Sequence, residues 1–241
     1  MQSAIEVNAC WSFVYVTLAA YFGITAYKFR LRQFWLFGIV LLFLSLTAAA
    51  EAMVGRLGPG MPGFLVAQLV LLASTWAPAV HTHFIFLGFE VRFLRPWVRG
   101  GYTLAAAATI AQFSLVGREV YLSYVDLESS ATIAPSKLVN QFIGGLLVAH
   151  LVLGVLGYIA ASRQQNKTAT YSLVALSLCV PFIIFDYVHV FSDGAHLILS
   201  AAMIWIYGLV QVAGLLAELR REGQMLVKTT STLVETTAEL E

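Results

Sequence analysis

Residues 34–55, FWLFGIVLLFLSLTAAAEAMVG, decide the fold class, because they form a long apolar run in which Glu51 is the only charged residue. An α-helix needs about 20 mainly apolar residues to cross the hydrocarbon core of a bilayer. The whole chain is 59% hydrophobic and 11% charged, whereas soluble domains carry about 25% charged residues. These figures predict an integral membrane protein built from helices.

Six further stretches have the same apolar character, so we predict an all-α, polytopic bundle of seven transmembrane helices. The predicted helices are 9–27, 34–55, 63–89, 99–117, 139–161, 170–191 and 195–217. The longest connection, from Arg118 to Leu138, is rich in Ser, Tyr and acidic residues, and we expect it to form a small extramembrane cap. We divide the chain into a membrane domain, 1–217, and a cytoplasmic helix, 218–241.

Basic residues mark the cytoplasmic side of a membrane protein, and here they fall unevenly between the two sides. With the N-terminus outside, the cytoplasmic side receives 11 of the 14 Lys and Arg residues. These are Lys28, Arg30, Arg32, Arg92, Arg95, Arg99, Arg163, Lys167, Arg220, Arg221 and Lys228. The pattern predicts an odd number of spans in the cell (inner) membrane, with the C-terminus inside.

The C-terminal segment has a leucine heptad. Leu219, Leu226, Leu233 and Leu240 recur every seven residues, and mostly weak residues precede each leucine by three positions. This pattern favours a loose parallel coiled coil, and therefore a homodimer, over an amphipathic helix lying on the membrane. The heptad ends in mid-helix at Glu241, where we expect an output domain to follow in a longer chain. The alternative is a complete chain that serves as an accessory subunit of a larger membrane complex.

The third apolar stretch and its exit, LVLLASTWAPAVHTHFIFLGFEVRFLRPW (69–97), combine a mid-helix proline, Pro78, with a basic, aromatic turn. The sixth stretch, LVALSLCVPFIIFDYV (173–188), has its own proline, Pro181, and follows the basic loop SRQQNKTAT. This order of features resembles the seven-helix N-terminal membrane region of bacterial and archaeal sensor histidine kinases and related signalling proteins. The resemblance implies a sensor input domain, although the kinase or cyclase module that follows in that family is not part of this sequence.

Ionisable side chains inside membrane helices are costly, so each is a candidate functional residue. Glu51, Asp186, His189 and His196 lie toward the outer ends of their helices and could form a polar cluster open to a ligand from outside. Trp76 is a candidate for lining the space that a kink at Pro78 opens. The alternative is that the polar residues are wetted at the membrane interface and that Trp76 is a packing residue.

The histidines allow a second interpretation. His81 and His83 lie in the inner half of the third helix, and His150 lies near the middle of the fifth. Two residues apart on a helix, His81 and His83 point about 200° from each other and cannot face one site. A b-type haem takes two histidines from different helices, so His150 with either of them is a candidate pair. The ordinary alternative is that they are hydrogen-bonded packing residues.

Several functions are disfavoured by the sequence. The seventh apolar stretch contains no lysine, which argues against a retinal Schiff base, and no motif of a hydrolase or a phosphate-binding loop is present. A net charge of +1 gives no reason to expect nucleic acid as a partner. We therefore predict a non-enzymatic membrane sensor whose partners are membrane lipid, a second copy and a cytoplasmic output module. We expect the sensor to detect a small or lipophilic ligand or a state of the membrane.

Overall fold

The computed structural model describes residues 2–57, 61–113, 137–193 and 198–240, and these ranges are helical throughout apart from short turns. The described helices are α1 (Gln2–Phe29), α2 (Arg32–Leu57), α3 (Met61–Gly88), α4 (Arg95–Phe113), α5 (Lys137–Arg163), α6 (Lys167–Asp193) and α7 (Ile198–Leu240). A short 3₁₀ helix, Arg92–Leu94, precedes α4. Within these ranges there is no strand, which confirms the predicted all-helical fold. The predicted cap between Arg118 and Leu138 lies almost entirely outside the described residues.

Three of the described helices contain segments that are long and apolar enough to cross a membrane: Asn8–Phe29, Arg32–Ala50 and Gly144–Arg163. The outer surface fits an apolar solvent as well. Phe13, Ile110 and Leu178 are each more than 60% exposed. Apolar surface of this extent is typical of a lipid-facing helix rather than of a soluble monomer. The chain is therefore a helical protein with membrane-spanning character.

The helices pack mainly against their neighbours in sequence, and α3 also packs against α5. Aromatic rings hold α1, α2 and α3 together. The ring of Phe37 lies 5.1 Å from that of Phe22 and 5.2 Å from that of Phe84, and all three residues are buried. Each buried aromatic side chain removes a large apolar area from the surface, and ring pairs at this spacing add to the packing energy. This layer fixes α3 on one side, and its other side faces α5.

Tight turns connect the helices at one end of the bundle. Arg30, Glu90 and Gln165 follow α1, α3 and α5 and have positive φ angles of 55°, 54° and 62°. A left-handed residue after the last turn is a common way to end a helix. Asn166 then caps α6, since its side-chain oxygen accepts a hydrogen bond of 3.0 Å from the backbone N–H of Ala169. Because these turns are short, each of α1, α3 and α5 runs antiparallel to the helix that follows it.

The 11 basic residues that the sequence assigns to the cytoplasmic side are all exposed, and most lie at or beside these turns. The others, at positions 220, 221 and 228, belong to α7. That helix is 43 residues long and continues without a break across the predicted domain boundary at residue 217. The sequence predicts a boundary here because the composition changes from apolar to polar. The helix nevertheless continues, since its backbone hydrogen bonds do not depend on that change.

Candidate functional site

A buried hydrogen-bond network joins α3, α5 and α7. Nε2 of His81 lies 2.6 Å from the hydroxyl of Tyr207 and 3.1 Å from that of Tyr158. The two hydroxyls are 2.6 Å apart. The side-chain amide of Gln211 donates to both hydroxyls, at 2.8 Å to Tyr158 and 2.9 Å to Tyr207. We call these four residues the His–Tyr–Gln network.

Burial makes the network strong. Tyr158 and Gln211 are fully buried and Tyr207 is 9% exposed, whereas His81 is half-buried. Hydrogen bonds in a medium of low dielectric constant are strengthened, and losing one partner leaves a costly unpaired group. The network therefore fixes the relative positions of three helices, and the ring of His81 is its most accessible part.

Local sequence explains how His81 and the two tyrosines are placed. Pro78 lies inside α3 and has no N–H to donate, and the hydroxyl of Thr82 donates to the carbonyl of Pro78 at 2.9 Å. The helix continues through Pro78, and His81 lies in the turn that follows the proline. On α7, Tyr207 and Gln211 are four residues apart and share one face of the helix.

Phe84 and Phe89 close the site on the side of α3. The ring of Phe84 is 6.2 Å from that of His81, and the ring of Phe89 is 5.5 Å from that of Tyr158. Both phenylalanines are buried. They separate the polar groups from the helix surface, so the hydrogen bonds are shielded on this side.

Two buried polar atoms near the network have no hydrogen-bond partner among the described residues. They are the hydroxyl oxygen of Tyr15 and Oε1 of Gln211. Tyr15 lies against Gly208, where an added Cβ would be 3.2 Å from the hydroxyl oxygen. Gly208 precedes Gln211 by three residues and shares its face of α7. Two helices of the bundle, α1 and α7, thus bring unpaired polar atoms to one region.

The three histidines of the haem alternative face different surroundings. His81 faces α5 and α7, and Nδ1 of His83 lies 3.0 Å from the hydroxyl of Tyr102 on α4. The spacing argument, that the two histidines of α3 cannot face one site, agrees with these contacts. Nδ1 of His150 lies 2.8 Å from the carbonyl oxygen of Leu146, so this nitrogen carries the proton and donates.

His150 is the one of the three with a buried, unpartnered Nε2 among the described residues. This nitrogen is directed at the backbone of Gly101 on α4, where an added Cβ would lie only 2.7 Å away. An imidazole with Nδ1–H bound to a carbonyl and a free Nε2 is the usual form of a metal ligand. The glycine, however, occupies the space next to Nε2, and the described residues contain no group of three or more metal-ligating side chains.

Trp76 contributes to the contact between α3 and α4. Its indole N–H donates to the hydroxyl of Thr109 at 2.8 Å, and its ring lies 6.2 Å from that of Tyr102. Toward the start of α3 and the end of α4, a second contact joins the two helices. The side-chain amide of Gln112 donates to the backbone oxygen of Gln68 at 3.1 Å and also to its side-chain oxygen. Trp76 is thus part of a polar seam between α3 and α4, separate from the His–Tyr–Gln network.

The outer polar cluster predicted from the sequence falls where the structure is not described. Glu51, Asp186 and His189 belong to α2 and α6, but their side chains are outside the described part. His196 lies between α6 and α7, outside the described residues altogether. Their role as ligand-binding residues stays a prediction.

Tyr158, Tyr207 and Gln211 are functional candidates that are not among the site residues predicted from the sequence. One feature of the sequence indicates such a site. Gln211 is a polar amide inside the apolar run of α7, and Tyr207 lies one turn before it. Which partner each residue meets depends on the packing of α3, α5 and α7, which a single sequence does not give.

Comparison with protein-family models, with curated proteins and with solved structures finds no match for this chain.

Proposed function

We propose that the chain is the input domain of a membrane sensor. In this proposal α1 to α7 cross the inner membrane seven times, with the N-terminus outside and the C-terminus in the cytoplasm. A small or lipophilic ligand, or a change in the membrane, alters the packing of the helices. The change passes through α7 to a dimeric coiled coil and from there to an output module. The exposed basic residues at the turns after α1, α3 and α5 support this orientation.

The observation that carries the proposal is that α7 belongs both to the network and to the tail. Tyr207 and Gln211 bind it to His81 and Tyr158, and the same helix continues to Leu240. From Gln211 to Leu240 the helix extends about 44 Å at 1.5 Å per residue. A movement of the network thus has a direct mechanical route out of the bundle, which suits a relay between two packing arrangements.

The surface of the tail supports pairing with a second copy. Leu233, one of the heptad leucines, is 65% exposed in the single chain. Apolar side chains in the heptad of a polar helix are buried when two such helices form a coiled coil. The weak residues between the leucines make that coiled coil loose, so that its register or rotation responds to small forces.

Cysteine crosslinking in membranes tests the proposal. The two native cysteines, Cys10 and Cys179, form no disulfide and are first replaced by Ser and Ala, respectively. Leu226→Cys and Leu233→Cys, introduced singly, are expected to give disulfide-linked dimers under mild oxidation. Val227→Cys is the matched control, because it is next to the leucine seam and should link more slowly. Absence of dimers at both leucine positions would exclude the relay.

The haem alternative is carried by one observation, the free Nε2 of His150. The fit is poor as the helices are packed, since Gly101 lies against this nitrogen and Nε2 of His81 is already hydrogen-bonded to two tyrosines. An absorption spectrum of the full chain, purified after expression with ample haem, separates the two functions. We expect no Soret band for the sensor, and a stoichiometric band that His150→Ala abolishes would establish the alternative.

A further inference from the structure

The His–Tyr–Gln network has hydrogens and acceptors in numbers that require Nε2 of His81 to accept a hydrogen bond. The amide nitrogen of Gln211 donates, so the hydroxyls of Tyr158 and Tyr207 accept from it. The hydroxyl hydrogens must then go elsewhere. Tyr158 donates to Tyr207 across 2.6 Å, and Tyr207 donates to Nε2 of His81 across 2.6 Å. Each donated hydrogen then has an acceptor, provided that Nε2 of His81 carries a lone pair.

A proton on Nε2 of His81 is incompatible with this order. The imidazole would then donate to Tyr207, and Tyr207 would donate to Tyr158. The hydrogen of Tyr158 would meet the amide nitrogen of Gln211, which cannot accept. A buried hydroxyl without an acceptor is unfavourable, so the network with the amide in this orientation resists protonation of His81.

Turning the amide of Gln211 by half a turn removes the conflict. The oxygen Oε1 then occupies the position of the nitrogen, 2.8 Å from the hydroxyl of Tyr158. The chain of hydrogen bonds runs in reverse, from Nε2–H of His81 to Tyr207, then to Tyr158 and finally to Oε1 of Gln211. Every hydrogen in the chain again has an acceptor. The same four side chains therefore form two hydrogen-bond chains that differ by one proton and one amide rotation. Among the described residues, the first leaves Oε1 of Gln211 without a partner and the second leaves its N–H groups without one.

We propose that the His–Tyr–Gln network is a proton-binding site with two hydrogen-bond arrangements, in which uptake of a proton by Nε2 of His81 reverses the chain and turns the amide of Gln211. Its biological meaning rests on the proposed function, for which it supplies a stimulus: acidification. His81 is the most exposed of the four residues, so it lies nearest to a route by which a proton could enter. No covalent bond other than the new N–H forms, and His81 becomes an imidazolium.

Gln211 connects the proton to the output helix. In the neutral arrangement its Oε1 is unpaired, as is the hydroxyl of Tyr15, which lies against Gly208 on the same face of α7. After the rotation the amide N–H groups point away from the tyrosines instead. The polar contacts available between α7 and its surroundings therefore differ in the two arrangements, which is the requirement for a two-state element.

Among the described residues, titratable side chains face the site from four packed helices. They are Tyr15 of α1, whose hydroxyl lies against Gly208, His150 and Tyr158 of α5, Cys179 of α6, which contacts the backbone of Tyr207, and Tyr207 of α7. His150 is the competing acceptor for a proton, because its Nε2 is free. The sign of the effect follows from the hydrogen count: low pH favours the reversed chain, and high pH favours the chain in which Tyr207 donates to His81.

Solid-state NMR of the full chain in lipid bilayers, with ¹⁵N-labelled histidine, tests the proposal. The ring nitrogens of His81 are assigned by their loss in His81→Gln. At about pH 8 we expect a non-protonated Nε2, and in a titration down to about pH 3 a protonated one. His83→Gln, outside the network, should leave this change intact. A protonated Nε2 at the higher pH, or an unchanged one at the lower pH, would overturn the proposal.

Two variants separate the site from its neighbours. In Gln211→Leu the reversed chain loses its final acceptor, so the protonation of His81 should move to lower pH. His150→Gln should leave the protonation of His81 in place, and if the change disappears in this variant, the proton belongs to His150 and the proposal fails. The NMR result does not depend on the tail, whereas failure of the sensor function would be seen in the crosslinking at Leu226 and Leu233.

Discussion

Four side chains in the interior connect three helices, and each has more than one partner. Tyr207 illustrates the consequence: its hydroxyl contacts His81, Tyr158 and Gln211 within 2.9 Å. Deleting this one oxygen leaves three polar groups short of a partner. The cost of a deletion in such a network is set by the groups left behind rather than by the bond removed.

Tyr207→Phe and Tyr158→Phe should each lower the free energy of unfolding by about 1–3 kcal/mol, because each leaves buried polar groups unpaired. Unfolding in mixed micelles, followed by tryptophan fluorescence, measures the change. Tyr171→Phe is the matched control, since Tyr171 is 63% exposed and should change the stability by less than about 0.5 kcal/mol. Equal stabilities of all three variants would show that the network contributes nothing to the fold.

At the scale of helices, close approach between elements depends on glycine. Gly157 on α5 faces Ile85 of α3, and an added Cβ would lie 2.8 Å from Cγ2 of that isoleucine and 3.1 Å from Cδ1 of Leu94. Cγ2 is attached directly to the branched Cβ and has little freedom to move. Gly157 precedes Tyr158, so the contact that it permits also sets the distance of Tyr158 from His81.

Gly157→Ala should therefore destabilise the protein by about 1–3 kcal/mol, because the added methyl group forces α5 away from α3. Gly145→Ala on the same helix is the control, since its Cβ would have no atom within 4 Å. That variant should be neutral or stabilised by up to about 1 kcal/mol through its helix propensity. The melting temperatures of the two purified variants measure the difference, and a Gly157→Ala protein as stable as Gly145→Ala would contradict the packing.

The sequence predicted the helices well and the site only in part. The stretch 139–161 became α5 (Lys137–Arg163), since a long apolar run specifies a membrane helix locally. Helices extend a few residues beyond the apolar runs because backbone hydrogen bonding continues into polar residues. The sequence predicts His81 as a candidate site residue only for the haem alternative, whereas the structure places it in a hydrogen-bond network. The tyrosines and the glutamine of its network lie 77 or more positions later in the chain. Tertiary packing decides which of these side chains meet.

For the whole molecule, the proposed orientation predicts which turns face the cytoplasm. In the cysteine-free background, Gln164→Cys lies in the turn between α5 and α6, and Glu6→Cys lies near the start of α1; both positions are exposed. A membrane-impermeant maleimide added to spheroplasts should label Glu6→Cys at once and Gln164→Cys only after the membrane is permeabilised. Labelling of both from the same side would contradict the N-terminus-outside topology.

In the proposed relay, the His–Tyr–Gln network and the C-terminal end of α7 move as one mechanical unit. The most direct test is the distance between spin labels at Val227→Cys in two copies of the chain, measured by pulsed electron paramagnetic resonance in bilayers. We predict that His81→Gln and Gln211→Leu both shift the distance distribution. Trp76→Phe, which breaks the α3–α4 bond to Thr109 and leaves the network alone, should not. Identical distributions in the parent and both network variants would contradict the account.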